Sequence, residues 1–259
     1  QPRSRGLGDV YKRQDQEDII LRGHAIEARV YAEDPAAGFL PTGGEVLGVV
    51  EPSGANAYGT VRMDSGLAAG MTVGSYYDPM LAKVIVHADN RPAALAGLDR
   101  ALADTAVLGV ETNIDFLRFV LADNDVREGR LDTELLQRMS YIPSDTDDEA
   151  FIAAAVYRWL RCWPASPTDI WDYPSGWRMG AHAGWTIRLS SGGSTDHVHL
   201  VGTPRRAEVW LENGKRRPLT AGMVDGRLVM TLDVIRVEFS VAGNGPQIWL
   251  AGELGTVMI

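Results

Sequence analysis

The sequence predicts an α+β protein in which a mixed domain of strands and helices precedes an antiparallel β-barrel around a central helix. Residues 141–147 combine a proline with small polar and acidic residues, which is typical of a linker. Strand-like and helix-like apolar spacings mix before this stretch, whereas short alternating segments dominate after it. We therefore expect a mixed domain over residues 15–140 and a barrel domain over residues 148–259.

The mixed domain opens on strands. Residues 25–31 alternate apolar and polar side chains, and an Asp-Pro turn follows at Asp34. A second Asp-Pro turn at Asp78 is expected to anchor the last strand rigidly. Three further segments have strand-like composition, at residues 46–50, 60–63 and 80–86.

Two helices complete the mixed domain. Arg91 and Pro92 open the first one, because proline in the first turn gives up no hydrogen bond. The apolar spacing of this helix continues to Gly109. Thr112 is expected to cap the second helix, which carries apolar residues between positions 114 and 120.

The barrel domain begins with a helix over residues 148–163 that is apolar on nearly every side and should therefore be buried all round. Turn signals that contain glycine then separate short alternating segments typical of antiparallel strands. Closing such a meander around the helix would protect its edges, and the three alanines at 153–155 suit a narrow lumen. Six segments show this alternation: 186–190, 197–201, 207–212, 227–232, 236–241 and 247–251.

The composition is that of a globular protein. The 259 residues carry a net charge of −9, which argues against a nucleic-acid partner because phosphate binding requires clustered cations. No apolar run approaches the ~20 residues of a membrane span, so no membrane partner is expected. The single cysteine, Cys162, excludes an internal disulfide and fits a reducing cytosol, which predicts a cytoplasmic location.

The two ends of the chain look truncated. Read back into codons, residues 4–14 (SRGLGDVYKRQ) match a transposon-based sequencing adaptor, so we expect residues 1–14 to be an assembly artefact rather than a disordered basic tail. Natural sequence then begins near Asp15, and residues 256–259 show neither a helix cap nor a polar tail. We therefore expect the chain to be a fragment of a longer protein.

Three strings in the mixed domain carry a family resemblance. They are GHAIEARVYAEDP at residues 23–35, VRMDSG at 61–66 and YYDPMLAKVIV at 76–86, and the likeness continues through GVETNIDFL at 109–117. In order and spacing they resemble the C-terminal part of a biotin carboxylase domain in the α subunits of acyl-CoA carboxylases. The strings GSYYDPMLAKV and ALADTAVLGVETN look most like actinobacterial enzymes that act on 3-methylcrotonyl-, acetyl- or propionyl-CoA.

The second domain carries a resemblance to the same subunits. The helix and meander after residue 148, together with DIWDYPSGWRM at 169–179, are similar to their BT domain. In that family an antiparallel barrel surrounds a helix and joins the α to the β subunits. Trp159 on the helix is expected to be core, whereas Trp171 and Trp177 are expected to contact a partner, because tryptophan is enriched at interface hot spots.

Arg62 is the candidate catalytic residue. Carboxylating biotin requires removal of a proton from a urea nitrogen, which leaves negative charge on the ureido oxygen. A fixed guanidinium stabilises such charge and binds bicarbonate through its fork of N–H donors. The resemblance assigns this work to the arginine of the VRMDS string. The alternative interpretation is an ordinary strand arginine paired with Asp64.

The resemblance implies weaker roles for three further residues. Leu131 and Thr133 match a segment that borders the adenine pocket in the family. Arg91 matches a position near the dimer contact of free-standing bacterial biotin carboxylases, although exposed arginines before helices are common.

No metal site is expected. His197 and His199 share one face of a predicted strand, a spacing found in some metal pairs, but no Cys, Asp or Glu obviously completes a site. Solvent-facing histidines are the simpler interpretation. Glu27 and Arg29 likewise favour a structural ion pair over an acid–base role.

The cofactors and partners follow from the resemblance. The family activates bicarbonate with ATP and Mg²⁺ through an ATP-grasp domain, but the sequence has no G-x-x-x-x-G-K-[ST] loop and no NxRxQVEH-like string. The biotin-accepting Met-Lys pair of a carrier domain is also absent. We therefore expect the biotin carboxyl carrier domain and the carboxyltransferase β subunit to be partners in a hetero-oligomer, and the chain alone to be inactive.

Three rival interpretations remain open. Pyruvate and urea carboxylases share the first domain, although the helix and meander after residue 148 argue against them. A non-enzymatic assembly module that only binds partners is compatible with both domains. A small-ligand barrel of the lipocalin type would need a cavity, and the apolar helix leaves none.

Overall fold

The computed structural model describes residues 20–259 except residues 53, 75, 77, 144, 165, 167, 181 and 254 and the side chain of residue 170. The expectations for residues 1–14 and for Asp15 therefore lie outside the described residues. None of the described helices combines the length and the apolar content that a membrane crossing demands.

The N-terminal part of the described chain mixes strands with helices, as the sequence predicts. Its elements in chain order are β1 (His24–Tyr31), β2 (Glu33–Asp34), β3 (Leu40–Pro41), β4 (Gly44–Glu45), β5 (Gly48–Val50), β6 (Gly54–Ala55), β7 (Thr60–Ser65), β8 (Thr72–Val73), β9 (Met80–Ala88), α1 (Arg91–Ala103), β10 (Ala106–Leu108), α2 (Ile114–Ala122), α3 (Asn124–Glu128) and α4 (Leu135–Arg138).

An antiparallel sheet in the order β1–β9–β7–β6 forms the centre of this part. Helix α1 packs on one face of the sheet, where Leu98 and Leu102 join Val84 and Val86 in a buried cluster. At Gly97 the helix comes so close to β9 that a Cβ atom would lie 2.8 Å from Cγ1 of Val86, so glycine is required there. Three two-stranded antiparallel ribbons, β2–β3, β4–β8 and β5–β10, complete the strands.

Helix α1 begins at Arg91 as predicted but ends earlier than the sequence suggests. It ends at Ala103, and β10 follows instead of a helix that continues to Gly109. Asn90 caps the start through its side chain, while the hydroxyl of Thr105 donates to the carbonyl of Ala101 (2.7 Å) behind the last turn. The prediction is wrong because β10 pairs with β5, a partner that local spacing does not reveal.

The predicted cap of the second helix is also wrong. Asn113, rather than Thr112, is the N-cap residue of α2, and its side chain makes no capping bond. Its Oδ1 instead accepts from the backbone N–H of Tyr31 (2.9 Å), and its Nδ2 donates to the carbonyl of Arg29 (3.2 Å). The buried amide therefore ties α2 to β1, because a buried polar group must find partners and these lie on the neighbouring strand.

The C-terminal part is an antiparallel barrel around a helix, as predicted. Its elements in chain order are α5 (Asp148–Leu160), a short 3₁₀ turn (Ile170–Asp172), β11 (Trp185–Ser191), β12 (Ser194–Thr203), β13 (Arg206–Leu211), β14 (Arg217–Val224), β15 (Arg227–Leu232), β16 (Ile235–Asn244), β17 (Gln247–Gly252) and β18 (Gly255–Met258). Neighbours in sequence are neighbours in the sheet throughout.

Helix α5 fills the lumen of the barrel. Ala153, Ala154 and Ala155 are fully buried, and Trp159 is also part of the core, both as predicted. The helix has no exposed apolar stripe because strands surround it. The two end strands are linked where the hydroxyl of Ser191 on β11 donates to the carbonyl of Met258 on β18 (2.7 Å), which leaves the barrel nearly closed.

Within the described residues the barrel has eight strands, two more than the alternation identified. Strand β14 was missed because Pro218 and Gly222 interrupt its apolar pattern, and both residues are uncommon inside strands. Strand β18 was missed because it has only four residues. Both strands form in spite of their weak local pattern because they pair with neighbours. Strand β14 pairs with β13 and β15, and β18 pairs with β17.

Candidate functional site

Arg62 lies on the exposed face of the four-stranded sheet, opposite helix α1. The strand register places Glu27, Ile85 and Arg62 in one row across β1, β9 and β7. The next row contains Arg29, Lys83 and Asp64. Because strand side chains alternate between faces, these six side chains share one surface, which we call the sheet face.

The guanidinium of Arg62 forms a bidentate pair with Asp64. Nε lies 2.7 Å from Oδ1 and Nη2 lies 2.9 Å from Oδ2, and the Arg62 side chain is 72% exposed. Hydrogen bonding to Asp64 raises the pKa of Arg62 above its ordinary value, so the side chain stays charged. The pair that the sequence offered as the alternative interpretation is therefore present, and Nη1 has no hydrogen-bond partner among the described residues.

The sheet face holds a second ion pair. Nε of Arg29 donates to Oε1 of Glu27 at 3.0 Å, so the predicted structural pair is observed. The half-buried Lys83 lies between the two pairs, next to Arg29 on one side and Asp64 on the other. Three cations and two carboxylates thus share an open surface, and an excess of cations favours the approach of an anion.

Two aspartates hold turns at the ends of these strands. Oδ1 of Asp78 accepts from the backbone N–H of Met80 (2.9 Å), at the start of β9. Oδ1 of Asp34 accepts from the N–H groups of Ala36 (2.8 Å) and Ala37 (3.2 Å). Both side chains have the structural role that the Asp-Pro turns predict.

Arg91 is half-buried and its guanidinium is used within the chain. Nη2 donates to the carbonyl of Val126 at 2.6 Å, and Nη1 lies 3.3 Å from Nε2 of His24. Its Nε is buried without a partner among the described residues. Arg91 thereby ties α1 to α3 and β1, and its proposed place at a subunit contact stays a prediction.

Leu131 and Thr133 lie in the connection between α3 and α4. Both are exposed, Leu131 at 59%. Between them, Asp132 pairs with Arg138 (Oδ2–Nη2 2.8 Å) and accepts from the N–H of Glu134, and these contacts lower the pKa of Asp132. The connection is held in place by its polar residues, and the adenine-pocket edge stays a prediction.

Trp171 and Trp177 lie side by side in the segment that precedes β11. They are 75% and 60% exposed, and their ring centroids are 6.0 Å apart in an edge-to-face arrangement. The carboxylate of Asp172 accepts from the N–H groups of Thr168 (2.9 Å) and Asp169 (3.0 Å). The segment therefore presents two large aromatic rings to solvent on a backbone that is tied down locally.

The histidine pair has an acidic neighbour that the sequence did not suggest. Glu212, directly after the end of β13, faces both residues, with Oε2 3.0 Å from Nε2 of His199 and 3.9 Å from Nδ1 of His197. His199 also stacks on Trp210, with centroids 5.1 Å apart. Among the described residues no group of three or more His, Cys, Asp or Glu side chains has the arrangement of a metal site. Only the strand register brings Glu212 here, so no spacing signal could have found it.

Two family models match the chain in succession. Residues 27–138 match the biotin carboxylase C-terminal domain. Residues 147–259 match the BT domain of the methylcrotonyl-CoA carboxylase α subunit. The first range contains the sheet face, and the second contains the exposed tryptophans and the barrel.

Several known proteins are similar to parts of this chain. Urea amidolyase from Lachancea kluyveri is 35% identical over 166 residues, which are 63% of this chain and 8% of that protein. The mitochondrial methylcrotonoyl-CoA carboxylase subunit α from Oryza sativa subsp. japonica is 40% identical over 123 residues, 48% of this chain and 16% of that protein. Pyruvate carboxylase from Rhizobium etli, solved with the activator acetyl coenzyme A, superposes with a TM-score of 0.50 at 33% identity, covering 54% of this chain and 13% of the other. The chain thus spans less than a quarter of the length of these relatives.

Proposed function

We propose that this chain is the part of an acyl-CoA carboxylase α subunit that contributes to biotin carboxylation and docks the β subunit. Its residues match a biotin carboxylase C-terminal domain followed by a BT domain of the methylcrotonyl-CoA carboxylase α subunit. The succession of the two domains carries this proposal. Urea and pyruvate carboxylases are similar to the chain as well, and the BT match favours the acyl-CoA carboxylases over them. The 3-methylcrotonyl type is the acyl-CoA class that the BT match supports.

The sheet face supports a role for Arg62 in handling anionic groups. Its guanidinium is exposed, keeps Nη1 available, and lies in a surface that also carries Arg29 and Lys83. These residues fit bicarbonate and a developing negative charge, because a fork of N–H donors binds carboxylate-like oxygens in a bidentate manner. In this proposal Arg62 exchanges part of its contact with Asp64 for the anion.

Biotin, when bound, supplies the ureido nitrogen that accepts the carboxyl group. The task of this chain is then to orient bicarbonate and to balance negative charge through Arg62. ATP and Mg²⁺ are proposed to bind chiefly through an ATP-grasp domain, with Leu131 and Thr133 at the edge of the adenine pocket. The sequence contains no G-x-x-x-x-G-K-[ST] phosphate loop, and we assign none of its residues to Mg²⁺.

The barrel domain is proposed to dock the carboxyltransferase β subunit. Trp171 and Trp177 support this role because large exposed aromatic rings beside one another are uncommon on a surface without a partner. The biotin carboxyl carrier domain is the second proposed partner, in a hetero-oligomer. A cytoplasmic location completes the proposal, in keeping with the lone, exposed thiol of Cys162.

A binding measurement between the α subunit and its cognate β subunit tests the docking role. Replacing Trp171 and Trp177 together by alanine should weaken binding by at least ~30-fold, because the truncation of even one hot-spot residue typically costs about 2 kcal/mol or more. Trp210→Ala is the matched control, since this tryptophan also lies on the barrel exterior but stacks on His199 within the chain. The affinity of the Trp210→Ala variant for the β subunit should be unchanged.

Deleting residues 148–250 gives the complementary measurement. The deleted subunit should no longer elute with the β subunit on gel filtration. An intact complex after this deletion, or unchanged affinity of the double tryptophan variant, would show that the barrel is only a spacer.

A further inference from the structure

Strand β17 differs from its neighbours because it is buried on both faces. In β13 and β15, well-buried side chains alternate with more exposed ones, as expected for strands with one face in a barrel lumen. In β17, four consecutive residues from Ile248 to Ala251 are buried. Ile248 and Leu250 face the lumen and helix α5. Trp249, only 5% exposed, and Ala251 point outward and must therefore be covered from outside the barrel.

The cover is the β5–β10 ribbon of the first domain. Trp249 and Ala251 form a buried cluster with Ala106 and Leu108 of β10. Partly buried apolar residues from both domains surround this cluster, namely Leu47, Val50, Ala242 and Met258. Register aligns Ala242, Trp249 and Met258 in one row across β16, β17 and β18, so the contact is a flat apolar strip centred on the indole.

Strand β10 is the counterpart of β17 in the first domain. All three of its residues are buried. Val107 points into its own domain, where it packs with Val46 and Val110. Ala106 and Leu108 point the other way, toward the barrel. Each domain thus contributes one strand with two buried faces, and each strand would expose apolar side chains if the domains separated.

Polar contacts border the apolar strip. Nη1 of Arg118 on α2 lies 3.5 Å from the carbonyl of Glu253, in the turn between β17 and β18. The carboxylate of Asp115 lies over Gly255, where a Cβ atom would be 2.6 Å from Oδ1. On another side, a cleft of about 480 Å³ opens between the domains and is lined by Glu45, Gln247 and Trp249 among others.

From this arrangement we propose that the BT barrel and the biotin carboxylase C-terminal domain form one rigid body, with Trp249 as the positioning residue that locks them together. The linker at residues 141–147 then does not act as a free hinge. The physical reason is that β10 and β17 are each buried on both faces. Any movement of one domain relative to the other would therefore expose apolar side chains to water. The contact between the two strands does not depend on the proposed function.

The first test uses the 259-residue chain. Trp249→Ala should increase hydrogen exchange at residues 48–50 and 106–108, and should split a single calorimetric unfolding transition into two. Leu108→Ala, on the opposite side of the contact, should have the same two effects. Trp210→Ala should have neither, because Trp210 packs against His199 and Arg216 on a different part of the barrel surface.

Folding of the variants is controlled within the same experiment. Exchange at Leu228 and Met230, which face the lumen, reports whether the barrel itself remains folded. Trp249→Phe keeps an aromatic ring in the strip and should restore the single transition. Two independent transitions in the unmodified chain, or unchanged exchange at residues 106–108 in both alanine variants, would overturn the proposal.

A functional consequence rests on the proposed function. In the complete α–β complex, Trp249→Ala should lower kcat for carboxyl transfer to acyl-CoA while carboxylation of free biotin keeps its rate, because only the distance between sites is disturbed. Trp249→Phe should restore transfer. If the unmodified complex carboxylates neither biotin nor acyl-CoA, the proposed function is wrong while the exchange measurement still decides the rigid contact. If the Trp249→Ala complex transfers carboxyl groups at the normal rate although its two domains unfold separately, Trp249 has no positioning role in the reaction.

Discussion

At the scale of single residues, the geometry of Arg62 and Asp64 is compatible both with an ordinary surface ion pair and with a catalytic arginine. A strand places positions two apart on the same face, so an arginine and a carboxylate at this spacing can form an ion pair on any exposed strand. Arg236 and Glu238 on β16 form such a pair, with Nη2 2.7 Å from Oε1. What distinguishes Arg62 is its surroundings, a sheet face with two more cations, rather than the pair itself.

This comparison supplies a matched test of the catalytic role. In the complete subunit, Arg62→Ala should lower the rate of biotin carboxylation about 10²–10³-fold, the usual loss when one charge-stabilising donor is removed. Arg236→Ala should leave the rate unchanged, because its pair lies on the barrel. The measurement is carboxylation of free biotin at saturating ATP and bicarbonate. Near-normal activity of the Arg62 variant would mean that Arg62 only forms a surface ion pair with Asp64. It would also favour the alternative that the chain is a non-enzymatic assembly module.

Asp172 is a second residue whose local contacts have a wider consequence. Hydrogen bonds from the backbone of Asp169 and from the backbone and hydroxyl of Thr168 lower the pKa of Asp172. A carboxylate whose pKa is lowered on folding stabilises the folded segment at any pH above its ordinary, unfolded pKa. This contribution is lost as the pH falls through the lower folded pKa.

The expected result is a loosened aromatic segment. Asp172→Ala should increase hydrogen exchange at the amides of Thr168 and Asp169 at pH 7, and should weaken β-subunit binding although Trp171 and Trp177 are retained. Asp172→Asn keeps one acceptor oxygen without the charge and should lie between the two. Unchanged exchange in the alanine variant would mean that other contacts hold the segment.

At the scale of elements, helix α5 shows how a barrel selects small side chains. Ala153, Ala154 and Ala155 are fully buried between strands and the helix backbone. A larger side chain at these positions has no room, because protein interiors are packed to the density of organic crystals. The alanine run therefore reflects the width of the lumen more than helix propensity.

Ala154→Leu tests this packing directly. The variant should lower the free energy of unfolding by about 1–3 kcal/mol, the typical cost of overpacking a core. Thr220→Leu, on the exposed side of β14, should change it by no more than about 0.5 kcal/mol. Denaturant unfolding followed by circular dichroism measures both. A neutral Ala154→Leu would indicate that the barrel widens around the helix.

At the scale of the whole molecule, the two domains divide the proposed work. The first domain carries the sheet face with Arg62, and the second carries the exposed tryptophan pair. Neither contains a sequence of the phosphate-loop type or a Met-Lys biotin acceptor. In the proposed function, the steps that use ATP and carrier-bound biotin are therefore assigned to other domains or subunits.

The 259-residue chain by itself should consequently be silent in two assays. It should show no bicarbonate-dependent cleavage of ATP above background when free biotin is added. After co-expression with a biotin ligase, a streptavidin blot should show no band for it, because neither Lys83 nor Lys215 follows a methionine. Turnover or labelling in either assay would contradict the assignment of these functions to other domains.

The sequence by itself determined the class of both domains and, for the strands whose side chains alternate clearly, which residues share a face. Alternation predicted β1, and strand-like composition predicted β9 and the first four residues of β7, so that Arg62 was expected in a strand with Asp64 close by. The apolar helix predicted a barrel that closes around it, and the Asp-Pro turns at Asp34 and Asp78 were recognised from local chemistry.

Only the tertiary structure decided which elements meet. In the structure β10 pairs with β5, and the side chain of Asn113 binds β1 instead of capping its helix. Glu212 lies opposite the two histidines, and Trp249 is buried between the domains. The physical reason is that local spacing reports which face of an element is apolar, whereas register and domain contact depend on residues far apart in the chain. Arg29 and Lys83 became neighbours of the Arg62–Asp64 pair through register alone.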